Sequence, residues 1–176
     1  MSLARECDIP PAGLLRQYAA APGFADCYCM DIGRAVSQPA FVVAFYSTPL
    51  FKVERLILKL LAARAATDGD AKALAAGSAK TFSAWRVEAQ SADQLLMADV
   101  TGRTRSWLMA SALPVAAGAG QTPLTRLYFG SAVLPKTHRA TGKQAMGAAF
   151  HALLGFHRLY SRLLLQAAVA RLLKTN

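Results

Sequence analysis

The side chains best suited to chemistry stand near the end of the chain. His157 and Tyr160 are three positions apart, so a helix presents them on one side within a single turn. An imidazole and a phenol in an apolar cavity can orient the polar end of a ligand or transfer a proton. The alternative is a structural histidine, bonded to a backbone carbonyl or to a strand hydroxyl such as Ser131.

Two arginines form a second candidate site. Arg105 and Arg126 lie in consecutive predicted strands, and alternation places Arg105 with Trp107 and Arg126 with Tyr128. If both point inward, they offer paired donors to a carboxylate or phosphate; if both point outward, they belong to the polar face of the sheet. The predicted ligand-binding residues are therefore His157, Tyr160, Arg105, Arg126, Trp85, Trp107, Tyr128 and Phe150, although the tryptophans also fit a place in the core.

Common catalytic and nucleotide-binding motifs are absent. The sequence contains no Gly-x-Gly-x-x-Gly, Walker, Gly-x-Ser-x-Gly, His-Glu-x-x-His or Cys-x-x-Cys run. Acids are scarce, and Asp99 is expected to cap a turn beside Thr101 and Gly102. We expect no catalytic residue, cofactor or metal, with a cyclase- or hydrolase-like reaction at His157 and Tyr160 as the weaker alternative.

The cysteines indicate a reducing compartment. The chain has three, Cys7, Cys27 and Cys29, an odd number and too few for a disulfide framework. Cys27 and Cys29 share one face of a strand, but no further metal ligand follows them in sequence, so we predict buried free thiols. The N-terminus does not read as a signal peptide, and no stretch reaches the ~18 uncharged residues of a membrane span. We therefore expect a cytoplasmic protein.

The net positive charge comes from the second part of the chain. Residues 1–100 hold ten Lys/Arg and ten Asp/Glu, whereas residues 101–176 hold ten Lys/Arg and no acid, which accounts for the net +10. This field suits an anionic ligand, acidic lipid or an acidic protein. Nucleic acid is the least favoured partner because no recognisable binding module accompanies the charge. Two basic groups fit either headgroup or phosphate contacts or a solvated surface: Lys52, Arg55 and Lys59, and Lys136, His138, Arg139 and Lys143.

Hydrophobic periodicity predicts helices, then antiparallel strands, then a long helix. Residues 1–23 are predicted as an arm with a helical piece over 12–20, and residues 24–176 as one domain. The predicted elements are a strand over 24–32, a helix from Ser37 through Phe45, a helix over 49–66, a turn at 68–70 before helical turns over 71–76, strands over 80–89, 94–100, 103–113 and 123–134, and a helix over 141–174. The apolar side of the last helix is predicted to contain Met146, Ala149, Phe150, Leu153, Phe156, Tyr160, Leu164 and Ala168.

This order predicts an α+β fold, in which a curved antiparallel sheet made of hairpins grips the terminal helix. Such a layout is that of the START-like helix-grip architecture, with two short helices after the first strand. Three runs, Phe45-Tyr46-Ser47-Thr48-Pro49-Leu50-Phe51, Phe129-Gly130-Ser131-Ala132-Val133 and Phe156-His157-Arg158-Leu159-Tyr160, resemble the bacterial domain-of-unknown-function family 2867. The resemblance implies a START-like fold without an assigned activity.

The sequence by itself is consistent with two functions. The favoured one is binding of a hydrophobic small molecule, neutral or anionic, between the sheet and the terminal helix, since 54% of the residues are hydrophobic and His157 and Tyr160 are expected to face inward. The other is an interaction protein that docks its basic C-terminal half on an anionic membrane surface or an acidic partner.

Overall fold

The computed structural model describes residues 3–51, 66–114, 123–137, 144–145 and 148–174, with residues 136–137, 144–145 and 148–153 described by their backbone only. Several predictions fall outside these residues: most of the helix over 49–66 with Lys52, Arg55 and Lys59, the side chains of Lys136, His138, Arg139 and Lys143, and those of Met146, Ala149, Phe150 and Leu153 in the last helix. Within the described residues the fold is α+β, as predicted, with a seven-stranded antiparallel sheet and a long terminal helix.

The main sheet has the strand order β1-β2-β7-β6-β5-β4-β3, and all neighbouring strands are antiparallel. Its first long strand therefore pairs with its last, which brings residues 24–32 beside residues 124–133. A short separate hairpin precedes the terminal helix. The strands are β1 Arg5–Glu6, β2 Phe24–Ile32, β3 Thr81–Phe82, β4 Trp85–Gln90, β5 Gln94–Asp99, β6 Thr104–Leu113, β7 Leu124–Val133, β8 Lys136–Thr137 and β9 Gln144–Ala145.

Helices cover one face of the sheet. They are α2 Gln38–Tyr46, α3 Asp68–Ala75 and α4 Ala148–Lys174, while α1 Arg16–Ala19 belongs to the N-terminal segment. Ser37, at which the predicted helix begins, caps α2, because its side chain accepts a hydrogen bond from the Ala40 amide at 3.3 Å. Helix α4 packs on α2 and against β2 and β7, so the core lies between these helices and the sheet.

The N-terminal segment covers the opposite face. Strand β1 pairs with β2, and Leu15, just before α1, is fully buried in a cluster with Trp107 and Ile9. The helical piece is shorter than predicted, since only residues 16–19 are helical. The segment that was predicted as an arm thus forms a second layer on the sheet. It shields the aromatic and aliphatic residues on that face of β6 and β7 from water.

Two local predictions were wrong. Residues 80–89 form two strands instead of one, because the chain reverses through Ser83 and Ala84 so that Phe82 pairs with Trp85; Ser83 takes a left-handed φ of 54° there. The predicted turn at residues 68–70 is the first turn of α3. Thr67 and Asp70 bond reciprocally in a capping box, a signal that the sequence carried.

Helix α4 begins later and presents a different side than predicted. Its buried residues are Ser161, Leu164, Leu165, Ala168, Val169 and Leu172. At 100° per residue this face is turned by roughly 85° from the predicted one. Phe156, predicted to face the sheet, is 65% exposed. The helix is apolar over most of its circumference, so periodicity alone does not select one face. In the described part of the chain, no helix is long and apolar enough to cross a bilayer.

Candidate functional site

A cavity of about 140 Å³ lies between the sheet and α4. Helix α2 contributes Phe45, strand β4 contributes Trp85 at one border, and strands β6 and β7 provide the floor. The terminal helix closes it with His157, Tyr160, Ser161 and Leu164. The remaining lining residues are Phe51, Thr104, Arg105, Ser106, Phe129 and Ser131. The space is thus mainly apolar, with hydroxyl groups and one imidazole at its wall.

A buried polar cluster stands at the wall of this cavity and joins three elements. Ser131 of β7 has its Oγ 2.6 Å from Oδ1 of Asp26 in β2. The same Oγ lies 2.8 Å from Nε2 of His157 in α4, and Nε2 lies 3.3 Å from Asp26 Oδ2. The side chain of Asp26 is only 3% exposed. His157 therefore attaches the terminal helix to two neighbouring strands of the sheet, β2 and β7.

The direction of these bonds follows from the chemistry of the groups. An ionised carboxylate only accepts hydrogen bonds, so Ser131 donates its hydroxyl hydrogen to Asp26. Ser131 can then only accept from His157, whose Nε2 must carry the proton. Tyr28 donates a further bond to Asp26 Oδ2 at 3.1 Å. Asp26 is thus surrounded by donors, which is what a buried carboxylate requires.

These bonds shift the pKa values of the cluster. Burial by itself raises the pKa of Asp26, but the hydrogen bonds from His157 and Ser131 outweigh burial and hold the pKa below its usual value. For Tyr28, burial and the negative charge of Asp26 both raise the pKa. The carboxylate is therefore charged and the phenol neutral at pH 7.

The cluster contains the residue types of a Ser-His-Asp hydrolase but a different geometry. In a hydrolytic triad the carboxylate holds one ring nitrogen and the serine meets the other. Here both Ser131 and Asp26 meet Nε2 of His157, and Ser131 donates its proton to the carboxylate. A hydroxyl held in this way is not activated as a nucleophile. The arrangement fits a structural or ligand-orienting histidine better than a catalytic one.

Ser161 places a buried hydroxyl without a described partner at the cavity, whereas the buried Nε of Arg105, another lining residue, lies 2.8 Å from Glu88. Ser161 is fully buried, lines the cavity, and its Oγ has no hydrogen-bond partner among the described residues. A buried hydroxyl without a partner costs about 1–3 kcal/mol. A ligand that bonds to this hydroxyl would recover that cost.

The predicted ligand-binding residues separate into two groups. His157, Tyr160 and Trp85 line the cavity, and Arg105 stands at its border. The guanidinium of Arg105, however, reaches the other face, where Nε lies 2.8 Å from Glu88 Oε2 and the group stacks over Tyr18 at 4.8 Å. Phe150 lies in α4, and its side chain falls outside the described residues.

The other three predicted residues lie on the face covered by the N-terminal segment, away from the cavity. Trp107 donates its indole hydrogen to Gln94 at 3.0 Å. Arg126 binds Asp31 through two bonds of 2.6 and 2.8 Å, and Tyr128 packs near Trp107. The hydrogen bonds from Arg126 hold the pKa of Asp31 below its usual value. Both arginines thus bind carboxylates of the protein itself.

Asp26 is the site residue that the sequence reading missed. It occupies the same side of β2 as Tyr28, Met30 and Ile32, which are all buried in the main core. Alternation in this strand therefore places a carboxylate on an apolar face. A buried carboxylate requires hydrogen-bond donors around it, and this requirement could have identified Asp26 from the sequence. Asp99, by contrast, caps its turn as predicted, accepting hydrogen bonds from the amides of Arg103 and Thr104.

All three cysteines meet on the face opposite the cavity. They are free, as predicted, but pairing of β1 with β2 adds Cys7 to the predicted pair, with its Sγ 3.6 Å from that of Cys27. Hydrogen bonding to Cys27 raises the pKa of Cys7 to about 12, so the thiol stays protonated. Among the described residues no group of His, Cys, Asp and Glu could hold a metal ion.

Two larger grooves lie on the surface. One, of about 450 Å³, runs between α2, α3 and the end of α4 and has Arg34, Lys72 and Arg171 around an apolar floor. The other, of about 610 Å³, lies between the N-terminal segment and β2. The described residues that line these two grooves include no buried hydroxyl without a partner, so the sheet–helix cavity is the better candidate. Comparison with family models, curated proteins and solved structures finds no match to this chain.

Proposed function

We propose that the protein binds a small, mainly apolar molecule with one polar group in the cavity between the sheet and α4. We further infer a START-like helix-grip architecture, with which the order of the strands and the position of α4 are compatible. The observation that carries the proposal is Ser161, a buried hydroxyl without a described partner at the wall of an apolar cavity.

Cavity volume limits the size of the ligand. The cavity measures about 140 Å³, and an apolar cavity of about 150 Å³ holds one benzene molecule. A single aromatic ring, or a branched aliphatic group of similar size, is therefore the expected occupant. A long acyl chain would need the cavity to enlarge.

Hydroxyls at the wall determine the polar group of the ligand. Ser161, Ser106 and Thr104 all border the cavity, and a hydroxyl both donates and accepts hydrogen bonds. A neutral hydroxyl or carbonyl group is thus the best match. An anionic group is less favoured than the sequence suggested, because Arg105 and Arg126 direct their charges to the other face.

Isothermal titration calorimetry with phenol, 4-methylphenol and indole tests this proposal. We expect at least one of these compounds to bind at one site per chain. Ser161→Ala should weaken binding about five- to tenfold, because one hydrogen bond contributes on the order of 1 kcal/mol. Ser47→Ala is the matched control: Ser47 is also buried, and its Oγ likewise has no partner in the part of the chain that the structure describes, but it does not line the cavity. The proposal fails if none of the three compounds binds, or if the two variants change affinity equally.

A further inference from the structure

Helix α4 carries a row of exposed apolar side chains on the side away from the sheet. Phe156, Leu159 and Leu163 are 65%, 57% and 44% exposed. Their spacing of three and four positions places them in one continuous row along the helix; we call it the α4 ridge. Large apolar residues that are exposed together, in contrast to scattered ones, mark a surface for interaction.

Positive charge accompanies the ridge on one side. Arg158 is exposed, and Arg162 keeps 43% of its side chain exposed while it reaches Glu6 at 3.5 Å. At 100° per residue, both lie roughly a quarter to a third of a turn from the ridge on the same side. No acid occurs between residue 101 and the end of the sequence. The residues of this part of the chain, which includes α4, therefore contribute only positive side-chain charges to the electrostatic field around the helix.

The ridge is also continuous with the cavity wall. The ring of Phe156 stacks on that of Tyr160, with centroids 5.8 Å apart and an angle of 15° between the planes. Tyr160 in turn lines the cavity. The exposed apolar surface therefore reaches the wall of the space in which we place a hydrophobic ligand.

We propose that the α4 ridge docks on the surface of an anionic lipid bilayer. Phe156, Leu159 and Leu163 enter the boundary between headgroups and acyl chains, and Arg158 meets the acidic headgroups. Helices that lie in this boundary combine an apolar face with Lys or Arg beside it, which is the pattern of α4. The proposal goes beyond ligand binding and does not depend on it.

Other occupants fit the ridge less well. A second copy of the chain, paired symmetrically, would bring the basic side of one ridge against that of the other, and like charges oppose this contact. A protein partner would need a groove that matches a convex row of three side chains. A bilayer accepts such a row without a preformed groove.

Co-sedimentation with two kinds of vesicle tests the proposal, one of phosphatidylcholine alone and one of phosphatidylcholine and phosphatidylserine in equal parts. We expect binding to the mixed vesicles, weakened by salt, and little binding to the neutral ones. Phe156→Ser should weaken binding about tenfold, from the loss of one buried aromatic ring. Arg158→Gln should weaken it about fivefold and reduce the salt dependence, as expected for one headgroup contact.

Leu3→Ser is the matched control, because Leu3 is 77% exposed but belongs to the N-terminal segment. It should leave vesicle binding unchanged. The proposal is overturned if the wild-type protein does not bind mixed vesicles, if it binds neutral vesicles equally well, or if Phe156→Ser behaves like Leu3→Ser. A concentration-dependent dimer that Phe156→Ser abolishes, in the absence of vesicle binding, would assign the ridge to a second copy instead.

Discussion

Asp26 is the residue on which the buried polar cluster depends. Its carboxylate receives hydrogen bonds from Ser131 and Tyr28 and is paired with His157. Asn in its place would keep the shape but lose the charge and one acceptor oxygen. Breaking a buried charged network by changing one partner costs about 3–5 kcal/mol. We therefore regard Asp26 as necessary for holding α4 against the sheet.

We predict that Asp26→Asn lowers the free energy of unfolding at pH 7 by about 3 kcal/mol. Because the folded-state pKa of Asp26 lies below its usual value, the carboxylate stabilises the protein above its unfolded pKa of about 3.9, and this contribution disappears as the pH falls through the folded value. The difference between the variant and wild type should thus shrink below about pH 4. Urea unfolding across this pH range measures it.

Asp8→Asn provides the control for that series, because Asp8 is exposed. It should change the free energy of unfolding by less than about 0.5 kcal/mol at every pH. If Asp26→Asn were equally mild at pH 7, the cluster would not hold the helix in the way that its geometry indicates.

At the scale of single residues, the sequence predicted part of this site. His157 was assigned either to a ligand or to a strand hydroxyl such as Ser131, and the structure pairs it with that hydroxyl. Asp26 could not be joined to them from spacing, because it comes from a strand more than a hundred residues earlier in the chain. Only the pairing of β2 with β7 brings Asp26 opposite Ser131.

Gly130 shows how closely the elements of the second layer approach each other. A Cβ atom at this position would stand 2.6 Å from Leu15 Cδ2, 3.0 Å from the Asp26 carbonyl oxygen and 3.0 Å from Trp107 Cε3. Only a residue without a side chain allows the N-terminal segment to lie this close to β7. Gly130 is therefore needed for the close packing of Leu15 and Trp107 around this position of β7.

We predict that Gly130→Ala lowers the free energy of unfolding by about 1–3 kcal/mol, because backbone and a buried indole must move to admit the methyl group. Gly155→Ala is the matched comparison within α4, where the added Cβ would meet nothing within 4 Å. It should stabilise the protein by roughly 0.5–1 kcal/mol through helix propensity. Thermal unfolding of the two variants measures both effects, and equal changes in the two would contradict the close contact.

At the scale of elements, strands were easier to predict than helix faces. Alternation placed β2 correctly at residues 24–32 and β5 to β7 within one or two residues, because these strands are bounded by turns. For α4, leucines occur both on the ridge and on the buried side, at Leu163 and Leu165 for example. Packing against α2 decides which of these leucines face the sheet, and this packing cannot be read from the periodicity of the sequence.

The molecule as a whole has two layers on its sheet, and each hides a different set of predicted residues. Helices cover the face with Trp85, and α4 itself carries His157, whereas the N-terminal segment covers the face with Trp107 and Tyr128. The order of the predicted elements indicated one main covering element, the terminal helix. The second layer is short and rich in proline, and its contribution rests on few side chains, above all Leu15.

We predict that Leu15→Ala lowers the free energy of unfolding by about 2–4 kcal/mol, the usual cost of a cavity at a fully buried leucine. Urea unfolding should still show one transition, because the N-terminal segment and the sheet form one packed unit. Leu3→Ala, at an exposed position, should change stability little. Comparable values for the two variants would mean that the segment adds little to the fold.

The space between the sheet and α4 is the proposed binding site for a small ligand. The chain has two tryptophans, and they report on opposite faces: Trp85 borders the cavity, whereas Trp107 is buried under the N-terminal segment. Titration of ¹⁵N-labelled protein with 4-methylphenol, phenol and indole, observed at the two indole N–H signals, therefore distinguishes the faces directly. We predict that at least one compound shifts the Trp85 signal to saturation and leaves that of Trp107 in place. If no compound moves the Trp85 signal, or if the Trp107 signal moves instead, the sheet–helix cavity is not the binding site.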